Sequence, residues 1–406
     1  MTQFAIQGRF RKMTMAAALL LSSSLVTSAA VAATCGDIPT IAPQDSDGVL
    51  SSVAASYAPA YNGYSSPIGA SPWADFKSSK DGDYTIAILW GPLDNDTQVA
   101  FVETAEAELG KFESVGEVVV RTASANDAVA QQVQQFNALI AEKVDAIITQ
   151  PLSSEALVAP IEAAKEAGIP TIVLLSPVSS LSAINVSANN FMAGADVTSG
   201  LVKIMNGTGN MLTVHAIPGI QLDKDEFAGM DAVLSNCPDI TTVGDLTGFF
   251  APPVAKGETL KFLATHGGTK ISGVFQAGGG MAGGIISAFN DAQLPVPPVG
   301  ELGASKAHLG YWNQNRETYE TVGAELTQGS LARASASVAL RILQGQGLKI
   351  SSIVDTLPVI TEAELADWAD PSWDLNTPGS APGPESNPFL SEAYLDGLFS
   401  TGSMPK

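Results

Sequence analysis

The sequence predicts an α/β fold of doubly wound parallel sheets divided over two domains, on three observations. From residue 84 onward, short apolar runs alternate with longer segments of helical spacing, the order that builds parallel sheets covered by helices on both faces. The runs are nearly unbroken, as in Tyr84-Thr-Ile-Ala-Ile-Leu-Trp90, which suits strands buried on both faces. About 370 residues follow the leader described next, a length for two domains rather than one.

Residues 1–33 contain no acid. Arg9, Arg11 and Lys12 precede the apolar stretch Met15–Val26, and Ala30-Val31-Ala32 or Val31-Ala32-Ala33 offers a cleavage site. This is the pattern of a secretory signal peptide, too short and too broken by serines to be a membrane span. No adjacent arginine pair is present, so the general export route is expected. Cys35 raises lipoprotein anchoring as an alternative, but Ala32-Ala33-Thr34-Cys35 lacks the usual leucine and has Thr before the cysteine. The second cysteine is Cys237. Two cysteines in an exported chain pair more often than they stay free, so a Cys35–Cys237 disulfide is expected.

The full chain has a net charge of −21; without the three basic residues of the leader, 17 bases face 41 acids and the charge is −24. Such a chain repels nucleic acid and anionic membrane, and it has no basic stripe with interleaved aromatics.

Residues 34–83 are turn-rich, with five prolines among Tyr57, Tyr61, Tyr64 and Trp73, and form an expected N-terminal wrap. The strand 84–90 meets the turn Gly91–Thr97, and helical spacing resumes through Phe101, Ala105 and Leu109. Strand 117–121 follows, then a helix with Val129, Val133, Phe136 and Ile140 on one face, strand 144–149, a helix over 154–167 and strand 171–175. The second set is helix 191–205, strand 210–215, helix 223–236, strand 240–246, helix 256–265, strand 271–276, helix 281–292 and strand 296–299. Strand-like 323–327, a helix over 331–344 and a strand near 356–360 complete the pattern. The tail 363–406 is rich in Pro, Gly and Asn, yet Trp368, Trp373, Phe389, Tyr394 and Phe399 argue that it packs on the body.

Four segments carry a resemblance: Ile86-Ala-Ile-Leu with Asp94-Asn95; Val144-Asp-Ala-Ile-Ile-Thr-Gln-Pro151; Ala167-Gly-Ile-Pro-Thr-Ile-Val-Leu174; and Gly273-Val-Phe-Gln276 with its glycine-rich turn. Over 84–362, about two-thirds of the chain, the sequence resembles the periplasmic sugar-binding proteins of ATP-driven importers, in the ribose- and galactose-binding branch. Transcriptional regulators share that fold, but the leader and the lack of an N-terminal DNA-binding helix pair set them aside. The resemblance implies a type I periplasmic binding fold: two lobes joined by a three-stranded hinge that closes on a ligand. Carried over, lobe 1 is 84–188 plus 328–352 and lobe 2 is 189–327 plus 353–362, with crossovers near 187–189, 326–328 and Ile353. It also implies a periplasmic monomer without cofactor, which takes up a sugar, polyol or derivative and delivers it to a membrane permease. A sensory protein that presents ligand to a membrane receptor is the alternative with the same fold.

Ligands of open α/β sheets bind beyond the carboxyl ends of the strands, so the first candidates are Trp90, Asp94, Asn95 and Asp96. The bland alternatives are a core tryptophan and a capped, solvated turn. The family often has aromatics where Thr97 and Gln98 stand, and an Asp-Arg pair where Leu175-Ser176 stands. Losing that pair removes a bidentate donor and a charged acceptor, leaving Ser176 as the polar candidate. The resemblance further marks Lys224 where an arginine is common, Gln276 and Gly279 where Asn-Asp is common, Glu301 as an acidic contact, and Gln328 with Trp312 on loops. Lys224 as a solvated lysine and Glu301 as a surface acid are the competing readings.

Two enzyme classes are the rival readings. Gly278-Gly-Gly-Met-Ala-Gly283 matches G-x-G-x-x-G, with Glu301 about twenty residues on. It lies late in the chain, and general export carries no folded dinucleotide. A hydrolase finds no G-x-S-x-G, and His215, His266 and His308 lack metal-ligand spacing.

Overall fold

The computed structural model describes residues 1–2, 34–93, 96–124, 127–384 and 388–402. The expected signal peptide otherwise lies outside them.

Two short 3-10 turns, Val49–Ser52 and Ala55–Tyr61, precede the first set of elements. That set is β1 (Tyr84–Trp90), α1 (Asp96–Leu109), β2 (Val115–Thr122), α2 (Ala128–Glu142), β3 (Ala146–Thr149), α3 (Val158–Glu166), β4 (Thr171–Leu174) and β5 (Ile184–Ala188). The second is α4 (Asn190–Ile204), β6 (Gly209–His215), α5 (Gln221–Leu234), β7 (Ile240–Thr247), α6 (Pro252–Thr265), β8 (Gly273–Gln276), α7 (Ala282–Asp291), β9 (Val299–Leu302), α8 (Lys306–Gln314) and β10 (Gly323–Ala324). The chain then forms α9 (Gln328–Leu343), β11 (Ser352–Asp355), β12 (Val359–Ile360), α10 (Leu365–Trp368) and α11 (Glu392–Leu398).

The strands form two six-stranded sheets, ordered β11-β5-β4-β3-β1-β2 and β12-β10-β9-β8-β6-β7. Every neighbouring pair is parallel except β10 and β12. Ile86, Ala87, Ile88 and Leu89 are all fully buried, as a central parallel strand under helices on both faces requires.

The chain passes between the sheets three times: at Asn189, at 325–327 and at 356–358. The third passage lies beyond Ile353, because Ser352–Asp355 pairs with β5 in the first sheet. The strand expected over 296–299 is also displaced and occupies Val299–Leu302. Pro297 and Pro298 have no N–H to give a ladder, so pairing begins after them; Pro298 contributes only its carbonyl, to Val274.

Both terminal segments are built into the body. Cys35 and Cys237 form a disulfide across 202 residues, and Ser199 Oγ on α4 donates to the Gly36 carbonyl at 2.6 Å. Further along, Tyr61 donates to the Ser352 carbonyl at 2.8 Å and Trp73 Nε1 to the Ser182 carbonyl at 2.9 Å, both in the first-sheet half. The N-terminal segment therefore starts on one half and ends on the other. The tail runs the same way. Ala381 N–H reaches Ala304, beside β9, whereas Arg341 on α9 pairs with Glu392 and Asp396 of α11 at 2.7 Å each.

Candidate ligand cleft

A cavity of about 890 Å³ lies where the two sheets' carboxyl ends face each other. Its walls come from the segments just beyond β1, β3, β4 and β5 on one side and β6 to β10 on the other, the position where α/β sheets hold ligands. The size suits a small molecule largely enclosed by protein.

On the first-sheet side, Trp90 ends β1 and lines the cavity, but is only 1% exposed. Its ring stacks on Phe101 at 4.2 Å between centroids, so the indole face is spent inside the core. Among the described residues its Nε1 has no hydrogen-bond partner. Leu175 and Ser176 also line the wall. Leu175 has φ 63°, and its N–H is held by the Val186 carbonyl at 3.2 Å. A non-glycine residue in this region is costly and marks an over-determined position. Gln328, the first residue of α9, lines the cavity as well. Asp94 and Asn95 lie outside the described residues, as does the side chain of Asp96.

On the second-sheet side, Gly279 lines the cavity and four other sequence candidates do not. Gln221, Leu222, Asp225 and Glu226 form the inward face of α5. That helical phase turns Lys224 to the exposed side. Gln276 is fully buried. Its amide, oriented so that Nε2 donates to the Gly278 carbonyl at 2.8 Å and its oxygen accepts the Leu302 N–H at 3.0 Å, ties β8 to β9. Glu301 falls inside β9 rather than after it, a consequence of the three-residue displacement of that strand. It is fully buried and accepts from Ser305 N at 2.9 Å and Ser305 Oγ at 2.9 Å, and it pairs with His308 Nδ1 at 2.9 Å. Glu301 fixes the start of α8 and is a structural acid. Trp312, also fully buried, donates its Nε1 to Glu362 at 3.2 Å and is likewise off the cavity.

Gly278, Gly279 and Gly280 have φ of 55°, 67° and 67°, which explains glycine at each. A Cβ on Gly279 would sit 2.3 Å from Phe250. The space freed by the missing side chains is thus filled in part by Phe250, which lines the cavity itself, and not left wholly to a ligand.

The sequence pattern gave no sign of several wall residues. Tyr64, Ser65 and Ser66 arrive from the N-terminal segment and Ser380 from the tail. Among the described residues, Asp225, Glu226 and Glu325 are the acids of the wall. Ser65 Oγ donates to Asp225 at 2.9 Å and Gln221 Nε2 donates to it at 2.8 Å.

Burial, with neighbouring Asp223 and Asp225, pushes the Glu226 carboxyl well above its usual range; burial and Glu301 do the same to Glu325. Outside the cleft, burial pushes Asp196 and Asp355 up to about 6 from 3.8. A carboxyl whose folded pKa exceeds its unfolded value holds a proton that the unfolded chain has released, so stability falls as pH rises between the two values. The ligand-free protein is therefore expected to lose about 2 kcal/mol of unfolding free energy between about pH 5 and pH 8. Denaturant titrations across that range check it; a stability that rises toward pH 8 contradicts it.

Residues 86–347 match the family model described as periplasmic binding protein domain. The xylitol-binding protein of Mycolicibacterium smegmatis is 24% identical over 270 residues, covering 65% of this chain and 74% of that protein. Among solved structures, an ABC transporter periplasmic solute-binding protein from Actinobacillus succinogenes, with bound D-allose, superposes with TM-score 0.61 at 22% identity. The match covers 70% of this chain and 100% of the other. An ABC transporter solute-binding protein from Bacillus halodurans, with bound myo-inositol, gives TM-score 0.61 at 20% identity over 71% and 98% of the two chains. At these identities the structures establish the fold alone.

Proposed function

Because the chain belongs to the periplasmic binding protein domain family, we propose that it captures a sugar, polyol or sugar derivative in the cleft and delivers it to an ABC-type permease. The observation that carries this reading is the cavity itself: 890 Å³ at the carboxyl ends of both sheets, walled by serine, glutamine and asparagine side chains. Such groups form paired hydrogen bonds with hydroxyls. The matched family and the relatives are binding proteins rather than enzymes, which sets the dinucleotide-oxidoreductase reading aside. In this proposal residues 1–33 are removed on export and the mature protein acts as a monomer.

Native mass spectrometry of freshly purified protein, followed by calorimetry of refolded ligand-free protein against sugars and polyols, tests it. One compound of the panel is expected to bind at 1:1 stoichiometry. No heat from any member removes the carbohydrate assignment.

A further inference from the structure

Among the described residues, every ionisable carboxyl or basic side chain that lines the cleft is an acid: Asp225 and Glu226 on α5, and Glu325 after β10. Neither a lysine, an arginine nor a histidine of the described residues reaches it. Lys224, beside Asp225, lies on the exposed side of α5. The two undescribed residues between β1 and α1 are Asp94 and Asn95, neither of them a base. Lys306 and Arg333 line an adjoining recess of about 630 Å³ instead. There Lys306 stands 5.5 Å from the Trp373 ring centroid and Arg333 donates to Ser330 at 3.4 Å.

Among the described residues, no base forms an ion pair with Glu226 or Glu325. Glu226 and Glu325 are 3% and 6% exposed, and among the described residues Oε2 of each has no hydrogen-bond partner. A buried carboxyl oxygen without a donor is costly, and a native site that keeps two of them calls for an external donor. Two helix N-termini at the cleft are already capped: Asn189 caps α4 by accepting from Met192, and Thr327 caps α9 by accepting from Ser330. A neutral polyol could donate hydroxyls to either carboxyl, but it offers no countercharge to the ionised form that burial disfavours. An ammonium supplies both charge and donors, and its hydrogen bonds to carboxylate are about twice as strong as neutral ones.

We propose that the cleft selects a polyhydroxylated ligand bearing a basic nitrogen, with the ammonium received by Glu226 beside Asp225 and a hydroxyl by Glu325. This rests on the carbohydrate reading above. It follows that sugar acids and sugar phosphates, which need a base in the wall, are rejected.

The test is calorimetry at pH 7.5 and low salt on the refolded ligand-free chain, with matched pairs: D-galactosamine against D-galactose, and D-glucamine against D-glucitol. N-acetyl-D-galactosamine serves as the uncharged control and D-galacturonate as the anion. The amine of the pair that binds is expected to exceed its hydroxyl counterpart by about tenfold or more, with no heat from galacturonate. Glu226→Gln should bring the ratio to within about threefold while the neutral member still binds; Glu325→Gln should weaken both members alike. Thermal melts of each variant confirm folding, and Glu325→Gln keeps the test open if Glu226→Gln does not fold. Neutral members that bind as tightly as the amines, or galacturonate binding, overturn the proposal and leave the carbohydrate reading intact. Silence from every compound overturns both.

Discussion

Gly229→Val is expected to cost more than about 3 kcal/mol of stability and to abolish ligand binding. The reason is the contact between α4 and α5. A Cβ on Gly229 would stand 2.0 Å from the Phe191 carbonyl oxygen, and one on Gly194 would stand 1.9 Å from that of Glu226. Each helix thus presses a glycine against the other's backbone. Main-chain atoms cannot rotate aside as a side-chain tip can, so α5 must move off α4. It would take Gln221, Asp225 and Glu226 of the cleft wall with it. Gly257→Ala is the control: it lies inside α6, where an added methyl meets nothing within 4 Å. There the better helix propensity of alanine should stabilise by about 0.5–1 kcal/mol. Denaturant unfolding and calorimetry of both variants decide the matter; a Gly229→Val protein as stable as the parent contradicts this account of the packing.

The second large effect is expected from Glu392→Gln combined with Asp396→Asn. Arg341 is fully buried, and these two acids of α11 are its ion-pair partners among the described residues. Ser337 Oγ and Gln346 Oε1 accept from it at 3.1 and 3.3 Å, and the Phe399 ring lies 5.3 Å away. Removing both acids leaves a permanent cation in the core, at a cost of about 3 kcal/mol. The low end of the range applies because Glu392 and Asp396 are themselves 35% and 46% exposed. Hydrogen exchange should quicken first in α11, which loses its anchor to α9. Adding Arg341→Met should restore most of the loss, since it removes the orphaned charge. If the acid double variant melts with the parent, the anchor is not there.

Much of the fold was legible because parallel strands buried on both faces advertise themselves, as Ile86–Leu89 do. The cysteine pair was legible from arithmetic alone. The β9 displacement was visible too, since Pro297-Pro298 forbids the ladder placed over them. That error carried Glu301 from strand to loop and made a structural acid look like a contact. On the cleft, Trp90, Ser176, Gly279 and Gln328 line the cavity, while Lys224, Gln276 and Glu301 do not. Lys224 failed on helical phase: the burial of Asp223 and Glu226 orients α5, and a phase plot could have found Glu226. Tyr64, Ser65 and Ser380 carried no local signal, because their arrival depends on how segments far away in sequence pack.

The disulfide has a topological consequence. Cys35 and Cys237 close a covalent ring that contains every strand of the first sheet except β11, together with β6 and α5 of the second. A protease that cuts one peptide bond anywhere on that ring opens a loop but detaches nothing. In an oxidising compartment, a molecule nicked there remains a single covalent piece that still carries both walls of its cleft.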